Sequence, residues 1–177
     1  MEQRRGAVTD GGGIARIVFA PLVVMLALIQ GPVVQALFPL DVTPNLVLVL
    51  VFLWAGYHGI REGVVWAFLA GVLLDLLLFS PLGAHAFALM IVVLAVEPVR
   101  RWVFGENPAW TFLAVFVAGL LFDTIYLVVG RGAGVSGGVA TLWRFSVARA
   151  LTDALATVVL LPLVLMLRRW GSHANPA

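Results

Sequence analysis

Three carboxylates, Asp75, Asp123 and Asp153, stand inside apolar runs of this 177-residue sequence. An ionised Asp in hydrocarbon is penalised by about 3 kcal/mol on insertion scales, so each must meet protein, a partner or water. Gly71 and Asp75 are four apart, a spacing that puts them on one helix face and lets another backbone approach close to the carboxylate. The pattern Ala70-Gly71-Val72-Leu73-Leu74-Asp75 returns as Ala118-Gly119-Leu120-Leu121-Phe122-Asp123. It predicts two related helices, each with a small-residue notch beneath an acid. For these acids there are two readings: a ligand or partner site, or an ion pair or helix cap within the chain. His85 follows a turn and caps the next helix, sits at the lipid headgroups or joins the acids. The small residues Gly71, Ala114, Ala118, Gly119, Ala150 and Ala154 are packing faces, within the chain or against a partner helix or a second copy.

Chemistry that breaks bonds has no footing in the sequence. A zinc-binding HExxH helix, a GxSxG nucleophile turn and a phosphate-binding loop are all missing from it. With no cysteine, disulfides, thiolate catalysis and cysteine–metal sites drop out. The sequence therefore assigns no catalytic residue, no cofactor and no metal, and the expectation is a protein that is not an enzyme.

The elements that must position the acids follow from composition. The chain is 62% hydrophobic and 11% charged, with a mean hydropathy of +1.07, too apolar for a soluble domain, where apolar usage is about 50%. The expectation is an all-α integral membrane protein with six transmembrane helices. Residues 1–13 form a disordered cytoplasmic tail, 14–170 a single six-helix domain and 171–177 a second cytoplasmic tail. The spans run from Ile17 to Leu40 with a kink near Gly31 and Pro32, Asn45 to Tyr57, Val64 to Phe79, His85 to Val96, Trp110 to Val129 and Ala150 to Leu167. The second is short for a span, so it either tilts little or lies partly shielded by protein. Loops are expected at His58 to Gly63, Ser80 to Gly83, Gly105 to Pro108 and Gly130 to Gly138, and residues Leu142 to Arg149 read as a separate amphipathic segment.

All 11 basic residues are arginines, and the small excess over acids does not form a nucleic-acid patch. Arg4, Arg5, Arg16, Arg61, Arg100, Arg101, Arg168 and Arg169 fall on one side of the six spans, against Arg131, Arg144 and Arg149 on the other. The positive-inside rule places both termini in the cytoplasm. Asp75, Asp123 and Asp153 then lie at the outer level together with His85, Arg144 and Arg149, which predicts a polar cluster of Asp123, Arg149 and Asp153 under the outer surface. Arg100 and Arg101 read as topology determinants that touch lipid headgroups or a cytoplasmic partner.

The run Thr43-Pro44-Asn45-Leu46-Val47-Leu48, then Gly63, Phe68, Gly71, Leu74-Asp75, Ser80-Pro81-Leu82-Gly83 and Ala86, resembles the rod shape-determining protein MreD family, with Asn45 where many members carry Asp. The resemblance implies a non-enzymatic, multi-pass component of the bacterial inner membrane that serves the cell-elongation complex. Its implied partners are the membrane helix of MreC and, indirectly, MreB, RodA and PBP2. The candidate partner- or ligand-binding residues are Pro44, Asn45, Gly71, Asp75, Gly83 and His85. The family is also related in fold to the substrate-binding subunits of energy-coupling-factor transporters, so a vitamin- or solute-binding subunit is the alternative; its Ala-x-x-x-Ala docking motif is missing from the first span.

Overall fold

The computed structural model describes residues 11–30, 42–105, 108–132 and 139–173. Among them every regular element is helical: α1 (Gly11–Gln30), α2 (Leu46–His58), α3 (Ile60–Leu77), α4 (Ala84–Val96), a 3₁₀ turn (Glu97–Val99), the short α5 (Arg100–Val103), α6 (Pro108–Gly132) and α7 (Val139–His173). Two stretches, Pro108–Val129 and Phe145–Arg169, are long and apolar enough to cross a membrane, while α1, α2 and α4 carry shorter apolar runs. The kink expected near Pro32 lies outside the described residues.

Five helices form a ring in the order α1, α3, α4, α6, α7 and back to α1, and α2 runs through its middle in contact with all five. Ten consecutive residues of α2, Val47 to Gly56, are buried. A helix apolar on every side has no face for water, and here it shows none to lipid either. The ring helices instead present large apolar side chains outward, such as Phe68, Leu94, Leu113 and Leu155, as helices facing hydrocarbon do. Between α2 and α3 the expected six-residue loop shrinks to one residue. Gly59 reverses the chain at φ 106°, a conformation open to glycine because it lacks a Cβ.

The C-terminal part also differs from the sequence-based expectation. The amphipathic segment from Leu142 and the sixth span are one helix, α7. Neither glycine nor proline occurs between Val139 and Leu161, so nothing in the chain interrupts the backbone hydrogen-bond ladder there. Likewise α6 continues to Gly132, into what reads as a glycine-rich loop.

Candidate functional site

The turn from α3 to α4 is built around the Asp75 carboxylate. Oδ1 accepts from the Ser80 hydroxyl at 2.9 Å and the His85 amide at 3.1 Å, and lies 2.8 Å from His85 Nδ1; Oδ2 accepts from the Gly83 amide at 2.7 Å. Helix starts leave amide groups without partners, and Asp75 reaches across the turn to satisfy two of them at the start of α4. Gly83 makes the arrangement possible, at φ 93° just ahead of the helix. Between these anchors Phe79 takes φ 51° and is 96% exposed, a backbone state worth about 1–3 kcal/mol of strain that the surrounding hydrogen bonds must hold.

One turn below, a Cβ on Gly71 would lie 2.2 Å from Ala86 Cα and 2.4 Å from Ala86 N. The notch is therefore filled by α4 of the same chain. Of the two readings of this acid, the geometry fits the one within the chain: the space at Gly71 is occupied by α4, and Asp75 already has four partners.

The second acid-bearing pair, α6 with α7, repeats this plan. A Cβ on Gly119 would lie 3.3 Å from Ala150 Cα, and Asp123 faces Arg149 at 3.9 Å. In both pairs the glycine receives an alanine of the next helix, and the residue just before that alanine meets the acid four positions past the glycine: His85–Ala86 in one, Arg149–Ala150 in the other. Asp153 lies in the same crossing, with Oδ2 2.9 Å from the Gly119 Cβ position. Its Oδ1 accepts from the Asn45 amide at 2.5 Å.

Asn45 and the buried Pro44 open the central helix. The Asn45 side chain caps α2 by accepting from the Leu48 amide at 3.0 Å, and it also accepts from Gln30 Nε2 at 3.2 Å, while Gln30 Oε1 takes the Val47 amide at 3.1 Å. Arg149 acts electrostatically on His85, Asp123 and Asp153 alike, and Tyr126 packs against His85 with ring centroids 4.5 Å apart. Asp75, His85, Asp123, Arg149, Asp153 and Asn45 thus form one polar layer at one end of the bundle, and its chemistry is to cap helices and pair charges. The Arg144 side chain lies outside the described residues. Gln30, Ser80 and Tyr126 join the layer unanticipated; the only advance sign of Gln30 is an amide in an otherwise apolar run.

At the opposite end Arg100 and Arg101 share a pocket of about 220 Å³ with Gly56, Tyr57, Phe104 and Arg168. Nearby, Arg16 Nε donates to Glu62 at 3.1 Å, and this guanidinium holds the Glu62 carboxyl below the usual carboxylate range. His58 stacks on Trp54 at 3.7 Å, and burial pushes its imidazole pKa down. The Trp54 indole N–H acts on the Glu62 carboxylate without completing a hydrogen bond. Among the described residues no group of three or more His, Asp or Glu gathers as metal ligands would.

Residues 13–170 match the family model described as rod shape-determining protein MreD. No curated protein and no solved structure matches the chain.

Proposed function

The chain belongs to the MreD family, a membrane protein family of rod shape determination, and from that premise we propose that it is a non-enzymatic scaffold of the cell-elongation machinery in the bacterial inner membrane. It crosses the membrane six times, by α1, α2, α3, α4, α6 and α7, with both termini in the cytoplasm. The arginine distribution supports this orientation, since it sets Arg100, Arg101 and Arg168 inside and the Asp75 layer outside. The protein binds the membrane helix of an MreC-like partner, through which it reaches MreB, RodA and PBP2.

The observation that carries this reading is the distribution of polar groups in the bundle. The acids of the polar layer are engaged by the chain's own amides, hydroxyls and cations, which leaves the apolar perimeter as the surface for association. In lipid such association rests on close van der Waals packing. A photo-crosslinking amino acid placed in turn at Phe68, Leu94, Leu113 and Leu155 samples four helices of the ring. Adducts with co-expressed MreC from one contiguous face are expected; an absence of adducts from all four positions in membranes containing both proteins would remove helix-mediated binding from the proposal. For topology, a cysteine placed at Gly59 should resist labelling from outside the cell, whereas one in residues 133–138 should react.

A further inference from the structure

Three guanidinium groups converge on the pocket beneath the centre of the ring. Arg100 and Arg101 come from α5, and Arg168 from the last turns of α7, with its guanidinium carbon 5.6 Å from the centroid of the Tyr57 ring, which holds it in place. Among the described residues one carboxylate pairs with these three positive charges: Glu97 lies 3.8 Å from Arg100 Nε, with the two side chains 48% and 35% exposed. A pair that open contributes little. Among the described residues, no carboxylate pairs with Arg101 or Arg168. Like charges brought together in a concavity repel, so the pocket is complementary to an anion that several arginines grip at once, as they grip phosphate.

A second cavity adjoins it. Trp102 and Val103 of α5 open an apolar groove of about 420 Å³ that climbs between α4 and α6, past Val96, Ala114 and Ala118 to Leu121. Phe104 in the arginine pocket and Phe52 in the groove are neighbours, with ring centroids 5.8 Å apart. Trp102 is 82% exposed and Trp110 at the groove mouth 55%, the placement of aromatic side chains at headgroup level. From Trp110 to Leu121 the groove follows about three helical turns, roughly 17 Å at 1.5 Å per residue. An anionic subsite next to an apolar channel of that length has the shape of a molecule with a charged head and a hydrocarbon tail.

We propose that Arg100, Arg101 and Arg168 hold the phosphate of an anionic membrane phospholipid whose acyl chain lies in the groove between α4 and α6. The inference rests on insertion in a membrane and is independent of the partner helix. The pocket brings α5 and the last turns of α7 against Gly56 and Tyr57 near the end of α2, so a lipid seated there ties the central helix to α7 and to the segment that follows α4.

The test uses the full chain purified in detergent and follows thermal unfolding with added phosphatidylglycerol, phosphatidylcholine or inorganic phosphate, alongside native mass spectrometry of retained lipid. Phosphatidylglycerol is expected to raise the midpoint by several degrees and phosphatidylcholine by less than half as much. R101Q/R168Q should bind phosphatidylglycerol at least tenfold more weakly, and R101K/R168K, which keeps the charges, should retain most of the response. If the double variant does not fold, R101Q alone serves, with a smaller loss in the same direction. Equal responses to the two lipids, or an unchanged response in R101Q, overturn the proposal. An equal response to inorganic phosphate assigns the pocket to a soluble anion instead, and a shift produced by a poly-glutamate peptide but not by lipid assigns it to an acidic protein segment.

Discussion

Replacing Gly71 with alanine adds a single methyl group, and the structure says where it must go. The new Cβ would lie 2.2 Å from Ala86 Cα, 2.4 Å from Ala86 N and 2.9 Å from Ala86 Cβ. Two of these three are backbone atoms, so no rotamer change relieves the clash, and α3 and α4 must separate. Overpacking of this kind costs about 1–3 kcal/mol, and a backbone clash belongs at or above the upper end. For a chain of this length each kcal/mol corresponds to about 2–4 °C, so G71A should lower the midpoint of thermal unfolding by roughly 6–12 °C. The equivalent change at Gly119 meets Asp153 Oδ2 at 2.9 Å and Ala150 at 3.3 Å. There a carboxylate and a small tilt can yield, so G119A should lose less than half as much. Fluorescence-detected melting in detergent of both variants, with A86G added to the first, is sufficient. A86G removes only the most distant of the three atoms and should not rescue G71A. If G71A melts with the wild type, or A86G restores it, the reasoning fails and the notch is open to something other than α4.

Three further outcomes follow from the same geometry. Asp75→Leu leaves the Gly83 and His85 amides and the Ser80 hydroxyl without their acceptor and should cost about 3–5 kcal/mol, whereas Asp75→Asn keeps one acceptor oxygen and should lose about half of that in the same melts. Asp153→Leu should destabilise more than Asp123→Leu, because Asp153 takes the Asn45 amide at 2.5 Å while Asp123 faces a part-exposed Arg149 at 3.9 Å; a double-mutant cycle of Asp123 with Arg149 should return a coupling below about 1 kcal/mol. Acid should act in two steps. His58, whose folded pKa lies below its ordinary 6.5, binds its proton more readily unfolded, so stability falls as pH drops through 6.5. Glu62, also depressed, contributes stability above its ordinary 4.5 that is lost as pH falls through its lower folded value. H58Q should remove the first step from a pH series of melting temperatures and R16Q should weaken the second.

The features legible in the sequence were those that repeat or that cost energy when misplaced. An acid four residues after a glycine in an apolar run demands a partner wherever it sits, and the spacing marked both Asp75 and Asp123. The brevity of α2 pointed to a span that tilts little or is shielded by protein, and the ring around it supplies the shielding. What the letters withheld was the identity of the partners. Glycine notches accept any small surface; Ala86 looks like dozens of other apolar positions, Ala150 is one of several small residues legible as packing faces, and the crossing of two helices selects each as the partner. Gln30 contributes through hydrogen bonds to Asn45 and Val47, 15 and 17 residues away, contacts that no local pattern encodes. The run from Leu142 read as separate because its amphipathic period differs from the apolar stretch after it, yet a change of surface does not break a helix.

The buried position of α2 also has a consequence in time. During synthesis this helix is made second, beside α1 alone, and α6 and α7, which complete its surroundings, do not yet exist. The Asn45 amide and the Asp153 carboxylate that receives it are 108 residues apart, which at about 5–20 residues per second means a wait of roughly 5–20 s between the appearance of donor and acceptor. Throughout that interval the centre of the finished protein is its outside. A chaperone or insertase that shelters one short apolar helix until the ring closes would act on α2, and slowing elongation after α4 should raise the fraction of chains degraded before completion.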